Sequence, residues 1–191
     1  GSTIASASLG GMKGMHDQMQ RLPYVHHVDQ PYHFPHQGKQ TPEETGQQAA
    51  QSLADKIDNL GPENVAAFIA EPIQGAGGVI IPPDNYWPLV AEICRSRDVL
   101  LISDEVICGF GRTGQWWGCQ TYGFEPDLIT FAKAVTNGYQ SLGGVAVSDR
   151  IAQVITASGG EFTHGFTYSG HPVACAAGDA TVKIYQETDL L

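Results

Sequence analysis

The fold is decided by an apolar stretch that ends in two acids, Val99-Leu100-Leu101-Ile102-Ser103-Asp104-Glu105-Val106. Such a run predicts a buried strand, and its polar end places Asp104 and Glu105 at the edge of a sheet. A helix is expected before it, from about Asn85 to Arg97, and a second strand, Asp127 to Ala132, follows after a long loop with Gly and Trp. Strand, helix and strand in short succession predict parallel pairing through right-handed crossovers.

Other segments extend this α/β pattern in both directions along the chain. Short apolar runs predict further strands at Val65 to Ala70 and at Leu142 to Val147. Thr41-Pro42-Glu43-Glu44 combines an N-capping Thr, a Pro at the first helical position and a Glu three residues after the cap, so a helix is expected from here to about Asn59. With a last helix from Pro172 to Gln186, the pattern predicts an α/β fold with a mainly parallel sheet and flanking helices.

The segment before the first long predicted helix differs in composition. From Leu22 to Gln40 it is rich in Pro, His, Tyr and Gln and shows no apolar period, which predicts an extended surface loop. We therefore divide the chain into an arm and loop region, residues 1–40, and an α/β core, residues 41–191. The segment from Leu22 to Gln40 also contains a cluster of four histidines, His26, His27, His33 and His36. Prolines interrupt this cluster, so a solvated loop is favoured over a metal site.

Composition excludes several classes of protein. The 191 residues are 42% hydrophobic and 16% charged, which rules out general disorder, and the net charge of −10 argues against nucleic-acid binding. No run of 18 apolar residues is present, so a membrane partner is not expected. The four cysteines are Cys94, Cys108, Cys119 and Cys175, and their spacing fits neither a zinc site nor a redox pair. They predict reduced thiols and a cytoplasmic location.

Polar residues that end the predicted strands are the candidates for chemistry, because ligands of parallel sheets bind at the carboxyl ends of strands. They are Glu71, Asp104, Glu105 and Lys133. Taken singly, each has a structural explanation, such as accepting hydrogen bonds from the following turn. Together, an acid and a lysine at neighbouring strand ends suit pyridoxal phosphate, which needs a lysine for its Schiff base and an acid to keep its ring nitrogen protonated. Asp104 and Lys133 fit these two roles, and flanking alanines predict a partly desolvated lysine.

Two long segments resemble the signature of class III pyridoxal-phosphate aminotransferases, the ω-transaminases. The first runs from Leu101 to Gly114 and contains Ser103-Asp104-Glu105-Val106. The second runs from Asp127 to Gly138 and contains Phe131-Ala132-Lys133-Ala134. Flanking stretches at 70–75 and 164–172 also resemble the family. Among its members, the amine and diamine:pyruvate transaminases look nearest. The resemblance implies the type I fold of pyridoxal-phosphate-dependent transferases.

The resemblance also implies a role for each matching residue. Lys133 is the Schiff-base lysine and proton shuttle, Asp104 binds the ring nitrogen, and Val106 packs on one face of the ring. Phe166 and Thr167 match residues that bind the phosphate of the neighbouring subunit's cofactor, which implies a homodimer with shared active sites. Glu71 matches an acid on the substrate side, whereas Glu105 is expected to support the loop without touching substrate.

The resemblance further implies that the chain is only part of a large cofactor-binding domain. An N-terminal segment with a stacking Tyr and a phosphate turn, and a C-terminal small domain with a substrate arginine, are expected to be absent. The 191-residue chain alone is therefore expected to be inactive. A second departure is Ser141, where the family usually carries Pro.

The implied activity is transfer of an amino group from a primary amine or ω-amino acid to a keto acid such as pyruvate. Two alternatives stay open from the sequence. A same-fold aminomutase or decarboxylase would share these residues, and a non-catalytic fragment would serve only structure or an interface. Trp116 and Trp117 are expected to pack a loop near the subunit interface rather than to bind an aromatic ligand.

Overall fold

The computed structural model describes residues 1–188 and 190–191. Contacts within the chain divide it into two compact units. The first unit comprises residues 1–65 and 73–97, and the second comprises residues 66–72 and 98–191. Among the described residues, no helix is both long and apolar enough to span a bilayer.

The first unit is helical. Its helices are α1 (Ile4–Leu9), α2 (Lys13–His16), α3 (Pro42–Leu60) and α4 (Tyr86–Ser96), with 3-10 turns at Phe34–His36 and Pro62–Asn64. Most of the segment from Leu22 to Gln40 has no regular structure, as expected from its composition.

The start of α3 confirms the predicted capping box. The Glu44 amide donates to the Thr41 hydroxyl over 3.1 Å, and the Thr41 amide donates to the Glu44 carboxylate over 2.8 Å. These two bonds satisfy amide groups that have no partner inside the helix. Leu53 and Ile57, four residues apart on α3, are both buried, so the helix turns an apolar face inward.

Helices α3 and α4 pack against each other within the first unit, and polar contacts fix both ends of the pair. At one end, the side-chain amide of Asn85 donates to the Glu43 carbonyl over 2.9 Å. At the other end, two nitrogens of the Arg97 guanidinium group, Nε and Nη2, donate to the two Asp58 carboxylate oxygens over 2.7 and 2.8 Å. Because the charged form of Asp58 accepts both bonds, Arg97 lowers the pKa of this carboxyl.

The second unit contains a four-stranded sheet. Its strands are β1 (Ala67–Ala70), β2 (Leu100–Asp104), β3 (Leu128–Phe131) and β4 (Gly144–Val147), and its helices are α5 (Gly118–Thr121), α6 (Asp149–Ala157) and α7 (Pro172–Thr188). The strands lie in the order β1, β2, β3, β4. The first three are parallel, whereas β4 runs antiparallel to β3. A mainly parallel sheet is therefore confirmed.

The antiparallel direction of β4 follows from its connection. Between β3 and β4, the chain from Ala132 to Gly143 contains only the short 3-10 turn Lys133–Val135 and no helix that would carry it back to start a parallel strand. Phe131 pairs with Gly144, so β4 begins beside the carboxyl end of β3.

All the predicted strands and long helices are present, with ends shifted by a few residues. Helix α6 was not expected. Its sequence, DRIAQVITA, contains four β-branched residues, which have a low helix propensity, and none of its side chains is completely buried.

Candidate active site

The carboxyl ends of the three parallel strands form one edge of the second unit's sheet. Ala70 pairs with Ser103 and Asp104 pairs with Thr130, so β1, β2 and β3 end almost level with one another. The residues that continue these strands include Glu71, Glu105 and Lys133. The predicted acids and the predicted lysine thus lie along a single sheet edge.

Asp104 is the last residue of β2 and is half-buried. Its Oδ1 atom accepts a hydrogen bond from the Val106 amide over 3.1 Å, which ties the side chain to the turn that follows the strand. Val106 is itself half-buried beside this turn. Among the described residues, no hydrogen bond to Oδ2 of Asp104 is present, so that oxygen remains available to a ligand.

Glu105 is completely buried and belongs to the protein's internal framework. Its carboxylate accepts hydrogen bonds from the Ser103 hydroxyl over 3.0 Å and from the amides of Gly118 and Cys119 over 2.7 Å each. The amide of Glu105 donates to the Thr130 carbonyl on β3 over 2.8 Å. The prediction that Glu105 supports the loop is consistent with these bonds, which connect β2, β3 and the start of α5.

Cys119 lies against this carboxylate. Burial raises the pKa of its thiol to about 12, and the Glu105 charge adds to the increase. The thiol therefore stays protonated at neutral pH and does not act as a nucleophile.

Lys133 begins the 3-10 turn that follows β3, and its backbone φ is +49°. Residues other than Gly rarely adopt this left-handed conformation, because the Cβ atom approaches the backbone too closely. The side chain is exposed and makes no ion pair or hydrogen bond with any described residue. The partial desolvation expected from Ala132 and Ala134 is wrong for this structure, since two methyl groups are too small to cover a lysine side chain.

The backbone after Lys133 is held by buried residues. Val135 and Thr136 are both buried, and the Thr136 amide donates to the Lys133 carbonyl over 3.2 Å. The Thr136 hydroxyl donates to the Gln140 carbonyl over 2.5 Å and closes the loop. A fixed loop thus holds the strained conformation at Lys133, and such conformations cluster at functional sites.

Glu71 directly follows β1 and is half-buried. Its neighbour Ala70 pairs with Ser103, which places Glu71 one position beyond the β1–β2 ladder, level with Asp104. The structure therefore brings this acid to the same sheet edge as the other strand-end residues.

Phe166 and Thr167 lie in a different environment. Every residue from Gly159 to Val173 is exposed, and the Phe166 side chain is 78% accessible. Within the segment, the Phe166 amide donates to the Ser169 hydroxyl over 3.0 Å. No contact described in the structure joins Phe166 or Thr167 to Asp104 or Lys133, so this chain does not itself assemble them into one site.

The two tryptophans pack the loop between β2 and α5, and the proximity of this loop to a subunit interface stays a prediction. The Trp117 ring lies 5.0 Å from that of Phe110 and 6.0 Å from that of Phe131, and the Trp116 ring lies 5.7 Å from that of Tyr185. Elsewhere, His33 bonds to the Thr45 hydroxyl over 2.9 Å. In the described part of the chain, no three His, Cys, Asp or Glu side chains are grouped as metal ligands.

The sequence alone placed the acids and the lysine at the ends of strands, but it did not predict the donors around Glu105. Gly118 and Cys119 lie 13 and 14 residues further along the chain, and neither carries a side-chain signal for this contact. The pairing of Ser103 with Glu105, two residues apart on one face of an extended backbone, was the signal available.

Comparison with known proteins connects this geometry to a family. The fold is that of the type I pyridoxal-phosphate-dependent transferases: an ω-transaminase from Thermomicrobium roseum superposes with a TM-score of 0.93 at 46% identity, covering 97% of this chain and 42% of that one. An ω-transaminase from Pseudomonas jessenii, solved in complex with PMP, superposes with a TM-score of 0.94 at 42% identity, covering 99% of this chain and 43% of that one. Residues 1–191 match the family Aminotransferase class-III, and the chain belongs to this family.

Curated relatives agree with this assignment. The putrescine–pyruvate aminotransferase of Pseudomonas aeruginosa is 55% identical over the whole of this chain, and the chloroplastic gamma aminobutyrate transaminase 3 of Solanum lycopersicum is 47% identical. The chain spans 42% and 38% of the lengths of these two relatives.

Proposed function

We propose that this chain is part of a pyridoxal-phosphate-dependent aminotransferase that moves an amino group from a primary amine or ω-amino acid to a keto acid such as pyruvate. One observation carries the proposal: a half-buried acid, Asp104, and an unpaired amine on a strained backbone, Lys133, lie at the same sheet edge. The relatives named for putrescine with pyruvate and for gamma-aminobutyrate support these substrate classes. Because the relative with 55% identity acts on putrescine by name, a diamine is the first donor to test.

The groups at the sheet edge fit pyridoxal phosphate chemically. An amine is needed to hold its aldehyde, and the Lys133 amine is exposed and without an ion-pair partner among the described residues. An acid is needed at its ring nitrogen. The hydrogen bond described for the Asp104 side chain is accepted by Oδ1 and leaves Oδ2 for the cofactor. Val106 supplies apolar surface beside this acid.

Each of these residues then has a distinct part in the reaction. When bound, the cofactor supplies an electron-withdrawing ring that stabilises negative charge on the substrate carbon. The Asp104 carboxylate would accept a hydrogen bond from the ring nitrogen and thereby keep a proton on that atom. Lys133 would hold the cofactor through its amine at rest. Once the substrate amine has displaced it, the free Nζ atom would take the proton from the substrate carbon as a base and give it back as an acid. Glu71 lies on the substrate side of the same edge.

We also propose a homodimer with shared active sites. Phe166 and Thr167 would bind the phosphate of the cofactor held by the partner subunit. Their exposure supports this, as does the presence of Phe162 and Tyr168 in the same exposed segment, because large exposed aromatic groups mark contact surfaces. A cytoplasmic location remains part of the proposal, and the four free cysteines agree with a reducing compartment.

Product analysis of the whole enzyme tests the proposed reaction. The enzyme is loaded with pyridoxal phosphate and mixed with putrescine and pyruvate, and we expect alanine to form as the diamine is consumed. Lys133→Ala is the matched control and should form none. Rearrangement of an amine without use of pyruvate would indicate an aminomutase, release of carbon dioxide from an amino acid would indicate a decarboxylase, and either result would contradict the proposal.

A further inference from the structure

Among the described residues, Glu105 is the one fully buried carboxylate at the candidate site, and the proposed reaction leaves it without a chemical task. Its backbone is held on both sides. The Glu105 amide donates to the Thr130 carbonyl over 2.8 Å, and its carbonyl accepts from the Gly109 amide over 2.9 Å. The residue is thus fixed by main-chain bonds as well as by its carboxylate.

We propose that Glu105 is a positioning residue that fixes the direction of the neighbouring Asp104 carboxylate toward the cofactor ring, an inference that rests on the proposed function. Side chains alternate along an extended strand, so Ser103 and Glu105 share one face and Asp104 lies on the other. The 3.0 Å bond between the Ser103 hydroxyl and Glu105 locks the two residues on either side of Asp104 together. With both neighbours fixed, the direction in which the Asp104 side chain leaves the backbone is fixed as well.

The surroundings of Glu105 require a carboxylate and not merely a group of its shape. In all three hydrogen bonds described for its two oxygens, Glu105 is the acceptor. Two of the donors are backbone N–H groups, which can donate a hydrogen bond but cannot accept one. In a glutamine, an NH₂ group replaces one oxygen. Placed at Oε1, the NH₂ group meets the Cys119 amide, and placed at Oε2 it meets the Gly118 amide, so either orientation sets two donors against each other.

A substitution that conserves the shape of Glu105 is therefore expected to impair the active site, although Glu105 touches no substrate. Glu105→Gln is expected to move the start of α5 away from the end of β2 and to loosen the turn that carries Asp104. A misplacement of about 1 Å at a reacting group can cost a hundredfold in rate. The effect should therefore be visible at the bound cofactor and not only in stability.

Asp127 offers a matched control at the opposite edge of the same sheet. Its carboxylate also accepts a backbone hydrogen bond, from the Leu101 amide over 2.9 Å, and it also joins β2 to β3. It lies at the start of β3, away from the carboxyl ends of the strands. Asp127→Asn should lower the melting temperature without changing the environment of the cofactor.

The experiment uses the whole enzyme loaded with pyridoxal phosphate and compares Glu105→Gln, Asp127→Asn and Asp104→Asn. Three quantities are measured: the melting temperature, the visible circular dichroism of the bound cofactor, and kcat and KM for the amine. For Glu105→Gln we expect kcat to fall by about tenfold to a hundredfold and the dichroism to change in the same direction as in Asp104→Asn. A Glu105→Gln enzyme that loses stability like Asp127→Asn while keeping its dichroism and kcat would overturn the proposal.

A second variant keeps the test decisive if Glu105→Gln does not fold. Ser103→Ala removes only one of the three bonds and leaves the backbone donors in place, so a smaller change in dichroism and kcat of the same sign is expected. Unchanged values in Ser103→Ala would then contradict the positioning role. Wild-type enzyme that binds no pyridoxal phosphate would refute the proposed function itself, which separates the two failures.

Discussion

At the scale of single residues, the conformation of Lys133 is the strongest local indication of function. Its φ of +49° is unfavourable for a lysine, and the buried Thr136 holds the loop that enforces it. A strained backbone conformation of this kind persists only where the surrounding packing and hydrogen bonds hold it in place. The protein therefore keeps a lysine at a position where a glycine would be more stable.

We predict that Lys133→Gly is more stable than Lys133→Ala in the cofactor-free enzyme, by about 0.5–1 kcal/mol. Alanine keeps the cost of the left-handed conformation, about 1–2 kcal/mol, whereas glycine avoids it and loses less than that through its more flexible unfolded chain. Thermal unfolding of the two variants measures the difference.

Ala134→Gly is the control for this prediction, because Ala134 lies in the same turn and its φ is not positive. There, glycine should lower stability by about 0.5–1 kcal/mol. If Lys133→Gly lies below Lys133→Ala by a similar amount, the backbone at Lys133 carries no strain.

The sequence was sufficient to place Asp104 and Lys133 at the carboxyl ends of strands, because polar residues that end apolar runs stand out without a structure; their roles stay predictions. It was not sufficient to predict the exposed state of Lys133 or the donors around Glu105. Burial depends on what packs over a residue, and Gly118 reaches Glu105 only through the folded path of the loop between them.

At the scale of secondary structure, the pairing of β4 with β3 determines where the loop that bears Lys133 ends. The Phe131 ring lies over Gly144, its partner across the two strands. A Cβ atom at Gly144 would lie 2.5 Å from Cζ of that ring. The ring has little freedom to move, because it also packs against Phe110 and Trp117.

We therefore predict that Gly144→Ala destabilises the enzyme by about 1–3 kcal/mol, as expected for overpacking. Denaturant unfolding measures the loss. Gly143→Ala is the matched control and should cost less, because its nearest contacts would be 3.3 Å to the Phe131 carbonyl and 3.6 Å to the Ala132 side chain. Equal losses at the two positions would show that the Phe131 ring does not set the cost.

Elements with strong local signals were predicted well, and elements without them were missed. The capping box of α3 and the apolar runs of β1, β2 and β3 each specify their structure locally. Helix α6 has neither signal, since its Ser148 N-cap makes no side-chain bond and its apolar residues remain partly accessible. The direction of β4 likewise depends on its connection, which contains no crossover helix, more than on its own residues.

At the scale of the whole molecule, the exposed segment from Gly159 to Val173 is the feature that a single chain leaves unexplained. A subunit carrying Thr167→Ala can be combined with one carrying Lys133→Ala. If each site takes Lys133 from one subunit and Thr167 from the other, one site of the hybrid carries both changes and its second site carries neither. We predict about half of the wild-type activity for such a hybrid dimer.

The two parent variants are the controls for the hybrid, and each should be far less active than wild type. A hybrid no more active than the mean of its parents would show that the phosphate contacts are made within one chain. Thr167 would then have no role across the interface, although Lys133 would keep its own.

The central claim is that Lys133 is the residue that holds the cofactor covalently. The whole enzyme, loaded with pyridoxal phosphate, is reduced with borohydride and digested, and the modified peptide is located by mass spectrometry. We predict a phosphopyridoxyl group on Lys133, in the peptide that contains Phe131-Ala132-Lys133-Ala134. A modification found instead on Lys56 or Lys183, with Lys133 unmodified, would contradict it.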